Sequence, residues 1–270
     1  MAAFGADFQK YSRPRLYQSS SVVSLWQGLG FTLLILLVYF VSQIIVGWSI
    51  SVVGFQARFD DQSALLKASI LGVFPASIPV AAFIWWVSKY RQGVPRDVLA
   101  LQFPKLGWLG WLTAVVGFVL AMYVVVIAIV FIFQIDLNQL VLGPDGKGEA
   151  EDLVKQGMIE LARQPALYWI AFLSVAVGAP IGEELIFRGY MFSFLSRSWF
   201  GLSGATIVTS AIWALIHKGT GPWFLVGVLF IMGIALCCLL IRFGSLWVTL
   251  VCHGVWNSIT ALVIFGASAP

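Results

Sequence analysis

The chain alternates between long apolar runs and short polar connections over most of its length. Several runs exceed 18 residues, the length that indicates a transmembrane helix, and only helices or closed barrels satisfy their backbone hydrogen bonds inside a bilayer. We therefore predict an all-α, polytopic membrane protein with about seven or eight transmembrane helices. The hydrophobic spans are residues 27–50, 68–88, 106–134, 166–188, 202–217, 223–241 and 245–267.

Proline and glycine interrupt two of these spans. Pro75 and Pro79 break the regularity of the second span, and Gly178 with Pro180 should bend the fourth. Membrane helices tolerate such breaks where neighbouring groups satisfy the freed carbonyls. The fifth span has only 16 residues and ends at His217. We expect it either to cross incompletely or to lead into a loop that dips below the membrane surface.

The chain shows no internal repeat and no linker, so we predict a single integral membrane domain over residues 1–270, with a polar N-terminal segment at 1–24. Residues 150–165 alternate charged and apolar positions, which favours a short helix lying on the membrane interface.

Basic residues cluster in the N-terminal segment and in the loop at 89–105, whereas the loop at 136–163 is rich in acidic residues. The positive-inside rule then places the N-terminus in the cytoplasm. Because lysine and arginine are few and no sorting tail is visible, the chain looks bacterial. We expect an integral protein of the bacterial inner (plasma) membrane.

Composition narrows the function classes. The chain is 60% hydrophobic and 10% charged, against about 25% charged in a soluble domain. This excludes a soluble enzyme and a nucleic-acid binder, so we expect membrane lipid as a partner and no nucleic acid. The net charge of +4 reflects lysine and arginine facing the cytoplasm.

A small group of polar residues lies inside the spans, where ionisable groups are expensive and mark functional sites by default. A rise of about 1.5 Å per residue puts the acidic and histidine members at similar depth, so we expect them to meet in a polar intramembrane cavity near mid-membrane. The alternative is that they only hold helices together through hydrogen bonds. The residues are Glu183, Glu184, Arg188, His217, His253 and Asn257.

The two adjacent glutamates predict different roles. Glu184 and Arg188 are four residues apart with the acid first, the favoured order for an ion pair within a helix. Glu183 points about 100° around the helix and has no such partner. We therefore expect an unpaired carboxylate that acts as a general base at Glu183, and structural support from Glu184 with Arg188.

These residues occur in an ordered set that resembles the CAAX-protease and bacteriocin-processing (CPBP, or Abi) family of intramembrane proteases, which includes the type II CAAX prenyl endopeptidases. The resemblance covers roughly residues 166–262, which we expect to form the catalytic core. Its elements are Glu183-Glu184-x-x-x-Arg188, Trp213-x-x-x-His217 with Trp where Phe is usual, Phe230-Ile231-Met232-Gly233, Gly244-Ser245-Leu246-Trp247 and His253-x-x-x-Asn257.

The resemblance implies a membrane-embedded endopeptidase. Glu183 and His217 would activate a water, and His253 with Asn257 would stabilise the oxyanion of the tetrahedral intermediate. No cofactor is then expected. The alternative is a metalloprotease in which Glu183, His217 and His253 hold zinc. The implied substrate is a peptide or protein, including lipid-modified ones, because prenylated CAAX proteins are the substrates of eukaryotic members.

Three other functions remain alternatives. Gly201-Leu202-Ser203-Gly204 resembles the Gly-x-Ser-Gly of rhomboid serine proteases, but that interpretation leaves Glu183 and Asn257 without a role. A proton-coupled transporter would use intramembrane carboxylates, although the chain lacks a repeated pair of broken helices. A family member acting as an immunity or scaffold protein would keep the fold without proteolysis.

Overall fold

The computed structural model describes residues 24–56, 61–91, 95–135, 153–220 and 223–266, and within these ranges all regular secondary structure is helical. The all-α prediction is confirmed. Most of the N-terminal segment 1–24 and most of the acidic loop at 136–163, which carry the predicted topology, lie outside the described residues.

The helices follow the predicted spans closely. In chain order they are α1 (Leu25–Phe55), α2 (Gln62–Arg91), α3 (Pro95–Val98), α4 (Trp108–Ile132), α5 (Leu153–Ala162), α6 (Pro165–Leu173), α7 (Ala179–Glu184), α8 (Phe192–Leu195), α9 (Gly201–Ile216), α10 (Trp223–Phe243) and α11 (Leu246–Gly266). Helices α6 to α8 form one continuous rod, the fourth span.

Within the described ranges, six helical segments are long and apolar enough to cross a membrane, the fourth span counting as one. Helix α9 is apolar but only 16 residues long, as its sequence predicted. Together with this shorter helix, which ends at Ile216, the six segments account for the seven hydrophobic spans predicted from the sequence.

The fourth span is wound irregularly around the acidic motif. A first π-helical segment, Ser174–Gly178, precedes α7, and a second, Leu185–Met191, follows it. Single π turns concentrate at functional sites because they rotate the following side chains relative to an α-helix. The bend predicted at Gly178 and Pro180 stays a prediction.

Helix α2 continues through its internal prolines and packs tightly on the first π segment. Pro75 has no N–H, which frees the Leu71 carbonyl one turn earlier. The Ser174 hydroxyl of the fourth span donates to that carbonyl at 3.0 Å. A Cβ at Gly178 would lie 2.5 Å from Cα of Phe74, so glycine permits this backbone contact.

Helix α11 approaches the other side of the first π segment. A Cβ at Gly254 would lie only 2.8 Å from the Ala176 carbonyl oxygen, which explains a glycine between His253 and the rest of the motif. The close approach brings the polar face of α11 against the acidic motif of the fourth span.

The start of α11 is anchored to the loop after α3. The backbone N–H of Leu246 donates to the Ala100 carbonyl at 2.8 Å, and the Ser245 hydroxyl donates to the Gln102 carbonyl at 2.7 Å. The Trp247 indole N–H donates to the Leu101 carbonyl at 3.0 Å. Through these bonds the Gly-Ser-Leu-Trp element sets the position of α11.

Helix α5 is the short helix predicted between residues 150 and 165. It is tied to α2 by the Glu160 carboxylate, which accepts from the Ser63 hydroxyl at 2.7 Å and pairs with Lys67 at 3.3 Å. Its place on the membrane interface stays a prediction.

Candidate active site

Glu183, His217 and His253 come together from three different elements. Glu183 lies near the end of α7, His217 directly follows α9, and His253 lies within α11. Nε2 of His217 is 3.8 Å from one oxygen of Glu183, and Nε2 of His253 is 3.9 Å from the other. The predicted convergence of these three side chains is therefore present.

The end of α9 orients the His217 ring. The last carbonyls of a helix have no partner within it, and the carbonyl of Trp213 is one of them. Nδ1 of His217 lies 2.7 Å from this oxygen. Because a carbonyl only accepts hydrogen bonds, Nδ1 must carry a proton. In the neutral ring, Nε2 then presents a lone pair toward Glu183.

Glu184 joins the fourth span to α11 through a single oxygen. Its Oε1 atom accepts from Nη1 of Arg188 at 3.0 Å and lies 3.0 Å from Nδ1 of His253. The side chains of Glu184 and Arg188 are fully enclosed. The predicted ion pair is present, and it also fixes the ring of His253.

Trp213 corrects the expectation that Glu183 has no partner. Its indole N–H donates to the second oxygen of Glu183 at 2.6 Å. The related motif usually has phenylalanine at this position, and phenylalanine has no N–H, so the resemblance does not predict this hydrogen bond. The Trp-x-x-x-His spacing was the available signal, because it places the indole and His217 on one face of α9.

Asn257 lies one turn beyond His253 and faces the first π segment. Its Nδ2 atom donates to the Val175 carbonyl at 3.0 Å. A primary amide carries two N–H groups, so this bond leaves the second for another acceptor. The structure thus places Asn257 against the wall of the site, and its role toward an oxyanion stays a prediction.

Tyr39 of α1 is a further neighbour that sequence reasoning missed. A Cβ at Gly182, the residue before Glu183, would lie 3.3 Å from Cε2 of its ring. No motif marks Tyr39, because its proximity to Glu183 depends on how α1 packs across the fourth span.

The three converging side chains differ in accessibility. The side chain of His217 is 23% exposed, against 9% for Glu183 and 3% for His253. His217, which directly follows the short helix α9, is thus the most accessible of the three side chains.

The zinc alternative requires three of these side chains to converge on one ion. In the part of the chain that the structure describes, no three His, Cys, Asp or Glu side chains form a group that can hold a metal ion. The metal content of the protein stays a prediction.

The rhomboid alternative fails on geometry. Ser203 lies in the first turn of α9, and His217 follows the last, so about 21 Å of helix separates them at a rise of 1.5 Å per residue. His253 is held within the buried cluster by Glu184. Ser203 therefore has no histidine partner of the kind a serine protease requires.

Residues 165–259 match the family model described as Type II CAAX prenyl endopeptidase Rce1-like. The match covers 95 of the 270 residues and shows what this segment is similar to. The match contains all six predicted site residues and confirms the resemblance to the CPBP proteases. No curated protein and no solved structure matches the chain.

Proposed function

We propose that this Rce1-like membrane protein is an intramembrane endopeptidase whose nucleophile is a water activated by Glu183 and His217. The observation that carries the proposal is the buried Glu183 carboxylate facing Nε2 of His217 at 3.8 Å. This separation is too long for a direct hydrogen bond, and one water can bridge the two atoms.

The reaction needs no covalent enzyme intermediate. The water gives a proton to the Glu183–His217 pair while its oxygen attacks the carbonyl carbon of the scissile peptide. The C–N bond of the resulting tetrahedral intermediate then breaks, and the stored proton passes to the leaving amine. Water and peptide are consumed, and a carboxylic acid and an amine are formed.

The same cluster is suited to balance charge within the membrane. Ionised Glu183 and Glu184 with protonated Arg188 leave one negative charge. Because an uncompensated buried charge is costly, a proton held near Glu183 is favoured. The two histidines on either side of Glu183 are the groups that can take it.

His253 and Asn257 are proposed to stabilise the oxyanion, His253 through Nε2 when its ring holds this additional proton and Asn257 through its second N–H. Both project from α11 toward the fourth span, where Glu184 holds the His253 ring and the Val175 carbonyl holds the Asn257 amide. Donors fixed in advance in a water-poor site stabilise a developing charge strongly, because they need not reorganise during the reaction.

The proposed substrate is a peptide bond near the C-terminus of a prenylated or otherwise membrane-associated protein. The family match supports this class, and a lipid anchor would bring such a bond to the exposed His217 side of the site. The clustering of lysine and arginine in the N-terminal segment and in the loop at 89–105 supports a cytoplasmic N-terminus, and the bacterial inner membrane is the proposed location.

The test uses the full chain purified in detergent and a synthetic prenylated CAAX peptide. Mass spectrometry of the products should show loss of the residues that follow the prenylated cysteine. If the wild-type protein cleaves neither this peptide nor its unprenylated form, and membranes with and without the protein have identical proteomes, the proposal is wrong. A non-proteolytic role would then take its place.

A further inference from the structure

We propose that Trp213 is a positioning residue that aligns both halves of the general base, and this rests on the proposed function. Its indole N–H holds Oε2 of Glu183 at 2.6 Å, and its backbone carbonyl lies 2.7 Å from Nδ1 of His217. One residue of α9 thus fixes the carboxylate through its side chain and the imidazole through its main chain.

The indole bond determines which carboxylate oxygen meets which histidine. With Oε2 held by Trp213, Oε1 is the oxygen that faces Nε2 of His217. A short hydrogen bond from N–H to a carboxylate is charge-assisted and about twice as strong as a neutral one. It is strong enough to prevent rotation of the Glu183 carboxylate away from His217.

The indole is itself held by the neighbouring ion pair. The Arg188 guanidinium lies 4.4 Å from the centre of the Trp213 ring while its Nη1 atom binds Glu184. A cation over the ring draws electron density from it, which strengthens the indole N–H as a donor. The second glutamate of the motif therefore acts on the first through Arg188 and Trp213.

Packing alone does not require tryptophan at this position. Phenylalanine, the usual residue at the start of the related motif, would retain an aromatic ring between Arg188 and the two histidines. It has no N–H and leaves Oε2 of Glu183 without its donor. The hydrogen bond is thus a specific property of tryptophan in this chain.

The activity test compares Trp213→Phe with Trp26→Phe on the prenylated CAAX peptide. Both changes replace an indole by a phenyl ring, but Trp26 lies on α1 and is 80% exposed. Trp213→Phe should lower kcat by roughly 10–100-fold with KM unchanged, the usual effect of misplacing a catalytic group. Trp26→Phe should keep the wild-type kcat.

A second measurement does not depend on activity. In ¹H–¹⁵N spectra of protein labelled at the indole nitrogen, a short bond to a carboxylate should give one strongly downfield indole signal. Trp213→Phe should remove that signal, and Glu183→Gln should shift it upfield.

The outcomes separate the two proposals. A downfield Trp213 signal in a protein that cleaves nothing would contradict only the proposed function. A Trp213 signal unmoved by Glu183→Gln, or a Trp213→Phe enzyme with wild-type kcat, would overturn the positioning role.

Discussion

Replacing Glu184 by glutamine tests whether Glu184 has a structural role while Glu183 acts as the general base. Glutamine keeps the size of the side chain and an acceptor oxygen but removes the charge that neutralises Arg188. The guanidinium of Arg188 is buried, and its Nε and Nη2 atoms have no acceptor among the described residues. Nothing else in that part of the chain hydrogen-bonds to Arg188, so Glu184→Gln should leave an uncompensated buried charge.

The expected loss follows from the complete burial of the pair. Breaking a buried ion pair by removing one partner costs about 3–5 kcal/mol of unfolding free energy. Removing both charges together in Glu184→Gln/Arg188→Met avoids the orphaned cation and should recover most of that loss. The double-mutant cycle should therefore give a coupling energy of about 3 kcal/mol.

The exposed pair of Lys67 and Glu160 provides the matched control. Its side chains are 18% and 42% exposed, so Glu160→Gln should cost at most about 1 kcal/mol. A hydrogen bond from Ser63 and the charge of Lys67 lower the pKa of Glu160. Its small contribution should therefore be present at neutral pH and disappear as acidification protonates the carboxylate.

Equilibrium unfolding in mixed detergent micelles, followed by circular dichroism, measures these differences. The reasoning fails if Glu184→Gln is as stable as the wild type or if the two single changes are additive. A Glu184→Gln protein that is fully stable yet inactive would mean that the roles of Glu183 and Glu184 are reversed.

Three further predictions follow from the site and its supports. Asn257→Ala should cut kcat by roughly 10²–10³ with little change in peptide affinity, as expected for one lost oxyanion donor; an unchanged kcat would remove Asn257 from the mechanism. Elemental analysis of the purified protein should find far less than one equivalent of zinc, whereas stoichiometric zinc that chelators remove together with activity would make it a metalloprotease. Ser174→Ala should lower the free energy of unfolding by about 1–3 kcal/mol because it leaves the Leu71 carbonyl unsatisfied, and a variant as stable as wild type would show that another group satisfies it.

Features that depend on run length or on spacing within one helix could be predicted from the sequence. The lengths of the apolar runs predicted all seven helical spans, including the short fifth one. Counting residues from the helix ends placed Glu183, His217 and His253 at similar depth, and these three side chains do meet. The Glu184–Arg188 pair followed from spacing within one helix.

Features that depend on how helices rotate against one another could not be predicted. The indole of Trp213 reaches Glu183 only because α9 presents that face to the fourth span. The bond from Asn257 to the Val175 carbonyl requires both π winding and the close approach at Gly254. Neither the π segments nor these long-range partners leave a periodic signal in the sequence.

The most direct test of the account is the turnover of Glu183→Gln at saturating prenylated peptide, in protein whose folding and peptide affinity match the wild type. Glutamine is nearly isosteric but cannot accept the proton of the attacking water. The account predicts a fall in kcat of at least about 10², the lower range for loss of a general base. Cleavage by Glu183→Gln at the wild-type rate would contradict it.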